Sequence, residues 1–98
     1  MIYMIYCTDA EDGDALREKV YDAHREHLGR IKDQLMLGGP CPSGNGEARQ
    51  GSLAVVEADD VAAARALAEA DPFFKAGVWE SVIVREFNAV IGAWAPKG

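Results

Sequence analysis

His27 and Asp71 are the two residues in this 98-residue chain whose types together fit proton transfer. An imidazole, with an ordinary pKa of about 6.5, exchanges a proton near neutrality. A carboxylate bonded to one ring nitrogen fixes the tautomer and leaves the other nitrogen free as acid or base. His27 falls on the inward stripe of a helix expected from Asp14 to Leu35, where Leu16, Val20, Ala23, Ile31 and Leu35 recur at helical spacing. Arg17, Arg25, Lys32 and Asp33 are expected on its flanks and water side. The plainer reading is a core histidine satisfied by backbone or water. Asp71, ahead of Pro72, is its candidate partner, and also reads as a turn residue whose oxygens take backbone N–H groups.

Other residues gather around that pair as candidates. His24 lies one turn before His27 on nearly the same face, and the two with Asp71 could in principle hold a divalent metal. No further strong ligand is apparent, so no metal is expected and His24 is read as a polar substrate-binding group at the mouth of a cleft. Ser52, after Gly51, could bond a substrate oxygen or simply open a strand; no nucleophile elbow surrounds it. Pro40, Phe73 and Trp79 would wall a small aromatic or cyclic ligand, or serve the core or an interface. The glycines from Gly44 to Gly46 form no phosphate cradle, and no organic cofactor is expected.

The elements that must position these groups follow from local pattern. Residues 1–7 favour a strand; the acidic turn from Asp9 leads to Asp14 as N-cap, and Gly38, Gly39 and Pro40 bar the helix from continuing. A weak strand at 36–41, a loose stretch at 42–50 and a strand at 53–58 come next. A second helix, capped by Asp59 or Asp60, runs through Glu69 until Asp71-Pro72 stops it, and 78–87 is the last strand. The order β-α-β-β-α-β is the ferredoxin-like α+β arrangement, here one domain with a core over 1–87 and a tail over 88–98. Val78, Val82 and Val84 alternate with Trp79, Ile83 and Phe87 on the last strand, so both sheet faces should be apolar. A homodimer packed sheet against sheet would cover the outer face, with the tail 89–95 and its Trp94 helping to bridge the subunits.

Composition narrows the partners. Ten basic against sixteen acidic side chains give a formal charge of −6, which argues against nucleic acid and anionic lipid. No apolar run approaches the roughly 20 residues of a bilayer span, and no basic region precedes the apolar start, so a soluble cytoplasmic protein is expected. Cys7 and Cys41 read as buried free thiols, with Cys41 a lesser candidate for lining a pocket.

Four pieces in order carry a resemblance: MIYMIY at the start, R-E-H-L at Arg25–Leu28, G-G-P at Gly38–Pro40 with G-S at Gly51–Ser52, and A-D-P-F-F-K-A-G-V-W from Ala70 to Trp79. Over Met1 to about Phe87 the chain resembles the YciI-like (YCII-related) family of small dimeric α+β-barrel proteins. The resemblance implies a ferredoxin-like dimer and a cleft whose active centre is a histidine–aspartate pair, at the positions of His27 and Asp71. One branch of that family is associated with dehydrochlorination of a chlorinated hydroxyquinol. Where the family often reads R-P-A-H-L, this chain has H-R-E-H-L, so His24 replaces the usual arginine and any anion-binding role there loses its basis. The expectation is a cofactor-free enzyme that drives elimination, isomerisation or hydrolysis, the rival being a non-catalytic module that binds a metabolite in the same cleft.

Overall fold

The structure is a computed structural model that describes residues 1–44 and 49–96. The elements run β1 (Ile2–Asp9), α1 (Gly13–Arg30), β2 (Leu35–Pro42), β3 (Arg49–Glu57), α2 (Val61–Glu69), a short α3 (Pro72–Lys75) and β4 (Trp79–Glu86). The strands form one antiparallel sheet in the order β2-β3-β1-β4, the split β-α-β arrangement. None of the described helices is long and apolar enough to cross a membrane.

Alternation along β1 explains the layering. Tyr3, Ile5 and Cys7 point inward and join Val56, Ala64 and Ala68 in the core. Small alanines let α2 lie close to β1 and β4, and Asp60 caps that helix by accepting from the Ala63 N–H at 2.7 Å. On the inner face of β2 and β3 the paired positions are Gly38 with Ala54 and Pro40 with Ser52, all small or compact. α1 packs mainly against α3 and leaves open space above that floor.

Several sequence expectations are corrected. α1 ends at Arg30, not Leu35, because Leu35 is already paired with Val56 as the start of β2. The weak strand is eight residues long and holds Gly38, Gly39 and Pro40, which an edge strand tolerates since Pro40 owes no ladder N–H on its open side. Asp14 does not cap α1; it sits in the first turn and pairs with Arg17 at 2.7 Å. The loose reading of 42–50 lies partly outside the described residues, and its described ends belong to β2 and β3. Trp79 does not share a face with Ile83: the register slips between Thr8 and Asp9, which pair with Ser81 and Trp79, and the extra residue Glu80 turns the indole inward.

Gly51 is required by that same region, since a Cβ there would lie 1.9 Å from the Cys7 carbonyl oxygen. Gly77 has φ +81°, which closes the turn from α3 toward β4 at little strain.

Candidate active site

α1 and its C-cap Ile31 present Arg17, His24, His27 and Ile31 to the space over the sheet, offset by one residue from the expected Leu16 and Ala23, and Ala23 is exposed. The offset accompanies polar pairing and a non-helical residue, Val20 (φ −123°, ψ 15°), between the two positions. Arg17, expected near water, is 7 % exposed because its guanidinium bonds Asp9 at the end of β1 at 2.5 Å and Asp14 at 2.7 Å. His24 comes inward to meet Asp71.

The structure brings His24, and not His27, to Asp71. The His24 Nδ1 lies 2.8 and 2.9 Å from the two carboxylate oxygens. Asp71 can only accept as a carboxylate, so Nδ1 carries the hydrogen, and a neutral ring keeps its lone pair on Nε2. That nitrogen has no hydrogen-bond partner among the described residues. His27, one helical turn on, has passed Asp71 and donates from Nε2 to the Leu67 carbonyl of α2 at 3.0 Å. It is 5 % exposed, the plain core reading realised.

α3, absent from the sequence reading, sets the carboxylate. Asp71 is its N-cap, accepting from the Phe73 N–H at 2.9 Å, so the turn role and the imidazole-partner role coexist. Phe73 then stacks its ring on His24, centroids 3.6 Å apart and planes 4° from parallel. Trp79 meets Phe73 edge-on at 5.9 Å and the Arg17 guanidinium lies 5.4 Å from its centroid. Backbone and ring of one phenylalanine thus orient both members of the pair.

These groups line a cleft of about 330 Å³ between α1 and the β2–β3 half of the sheet. Pro40, Ser52, Phe73 and Trp79 all border it, as do His24, His27 and Asp71; Cys41 does not. Among the described residues no three metal-ligating side chains converge, and His27 is turned away from the other two.

The chain that builds this site matches a known domain by sequence. The sequence profile of the YCII-related domain spans residues 1–88. The chain belongs to the YCII-related family. Protein YciI of Escherichia coli O6:H1 (strain CFT073) is 35% identical over 97 residues, covering 92% of this chain and 99% of that protein. An uncharacterized protein of Haemophilus influenzae is 31% identical, covering 89% and 99%. Among solved structures, 5-chloro-2-hydroxyhydroquinone dehydrochlorinase (TftG) from Burkholderia phenoliruptrix AC1100, in complex with 2,5-dihydroxybenzoquinone, is similar with a TM-score of 0.80. It is 28% identical, and the match covers 89% of this chain and 93% of that one.

In this YCII-related chain Cys7 borders the cleft yet is no nucleophile at neutral pH, since burial pushes its thiol up to about 12. Arg17 is one site residue that sequence reasoning missed, as are Tyr21 and Arg25. The available signal was Arg17, His24 and Ile31 at steps of seven, with an aspartate at Asp9 able to reach back from the first strand.

Proposed function

We propose that the protein is a cofactor-free acid–base enzyme in which His24, oriented by Asp71, moves a proton on a small cyclic substrate. The role expected for His27 passes to its neighbour. The observation that carries this is the Asp71–His24 pair beside a cleft, with Nε2 unpartnered among the described residues. In a dehydrochlorination, Nε2 takes a proton from the substrate as the C–Cl bonding pair leaves with chloride, and Asp71 stabilises the imidazolium until it gives the proton to water. Similarity to TftG supports elimination as the reaction class and a hydroxylated ring as the substrate class. Ser52 and Pro40 would border the ring's far side.

The decisive experiment compares wild type with His24→Ala on 5-chloro-2-hydroxyhydroquinone and a panel of chlorinated phenols and lactones. Loss of kcat in the variant is expected; equal turnover by both proteins would sink the reading. Binding without turnover by the wild type would favour a metabolite-binding module.

We also propose that the outer sheet face is covered by a second copy of the chain. Leu37, Leu53 and Ile83 lie exposed there, and Val90, Ile91 and Trp94 of the tail are more exposed still. The two free cysteines, Cys7 and Cys41, fit a reducing compartment, which favours the cytoplasm.

A further inference from the structure

Two guanidinium groups border the cleft, and only one is already matched by acid. Arg17 is held by Asp9 and Asp14, and its positive charge is spent within the fold. Arg25 has no ion pair among the described residues, although the chain as a whole carries a formal charge of −6. Its guanidinium lies 6.0 Å from the centroid of the Tyr21 ring, which is 6.5 Å from the His24 ring. All three side chains border the cleft. Arg25 and His24 therefore sit side by side one helical turn above Tyr21, which puts a cation and the imidazole at the same part of the cleft. Asp71 is the carboxylate that borders the cleft, and it is engaged by His24 and the Phe73 N–H.

We propose that Arg25 is a substrate-recognition residue that binds an ionised oxygen of the ligand, a phenolate, enolate or carboxylate, while the ring of that ligand lies along Tyr21 toward His24. The inference deepens the acid–base reading and rests on its assignment of the cleft as a ligand site. Contact with Tyr21 limits the positions the guanidinium takes, so less freedom is lost when an anion docks. A planar fork then meets an oxyanion with two N–H donors, which a neutral ether or amide cannot match.

The test is calorimetric binding, read without turnover. Wild type, Arg25→Gln, Arg25→Lys and Arg30→Gln are titrated with 2,5-dihydroxybenzoquinone and its uncharged dimethyl ether, and with benzoate and benzamide. Arg30 lies on the same helix outside the cleft and controls for bulk charge. Wild type should prefer each anion over its neutral counterpart. Arg25→Gln should weaken the anions roughly three- to tenfold and leave the neutral compounds unchanged, with Arg25→Lys between. Arg30→Gln should match wild type, and the anion preference should shrink as salt rises. Three outcomes overturn the proposal: no preference for either anion in wild type, equal anion binding by Arg25→Gln, or equal weakening by Arg25→Gln and Arg30→Gln. If His24-dependent turnover stands while one of these appears, the acid–base reading survives alone; anion binding that depends on Arg25 without turnover gives the reverse.

Discussion

Asp71 accepts from the His24 ring and the Phe73 N–H, whereas His27 spends its ring hydrogen on a helix carbonyl. The two histidines should therefore fail differently. His24→Ala and Asp71→Asn should lower kcat by about 10²- to 10⁴-fold, the usual worth of a positioned acid–base group. His27→Ala should instead lower stability by roughly 2–3 kcal/mol, through a cavity and an unmatched Leu67 carbonyl, as read by urea denaturation. Cys7 offers a separate check. Burial raises its pKa from 9.0 to about 12, so between those values the folded state keeps a proton that the unfolded chain has lost. Stability should accordingly fall as pH rises through that window, and the fall should be shallower in Cys7→Ala. Below pH 9, native protein should resist alkylation at Cys7. Sequence pattern could find an inward imidazole but not choose between His24 and His27, since both fit a helical face within one step and Asp71 is distant in sequence.

At the scale of elements, strand pairing and one bulge decide how the cleft is walled. Residue types placed β1, and alternation correctly put Val82 and Val84 on the face opposite Ile83; the structure shows that the valines pack against the core and Ile83 is exposed. Alternation failed at Trp79, because the slip at Thr8/Asp9 is a property of two strands together. Gly51 lies opposite Thr8 in the same region, so Gly51→Ala should cost about 2 kcal/mol or more, measured by thermal or urea unfolding, since the Cβ has no room beside the Cys7 carbonyl. Asp60→Ala should cost about 1 kcal/mol by removing the cap of α2. α3 was hidden from the sequence reading for a plain reason. Four residues are too few to show periodicity, though Asp71-Pro72 is a regular N-cap and N1 pair.

For the whole molecule, the outer sheet face is where the proposed second copy would pack. Leu53 and Ile83 face solvent there, so Leu53→Glu or Ile83→Lys should shift sedimentation toward the monomer while leaving circular dichroism unchanged. A wild type that sediments as a monomer at micromolar concentration would overturn the dimer proposal. The sequence alone determined the order of strands and two main helices, the family, and a group of residues that borders the cleft. Those follow from local periodicity, turn chemistry and short motifs, all of which act over a few neighbouring residues. Only the tertiary structure decided which histidine meets Asp71, that Arg17 is buried, and that Arg25 borders the cleft without an ion pair among the described residues. Each of these depends on ion pairs and hydrogen bonds between elements remote in sequence, and such pairing draws polar side chains inward against the hydrophobic pattern.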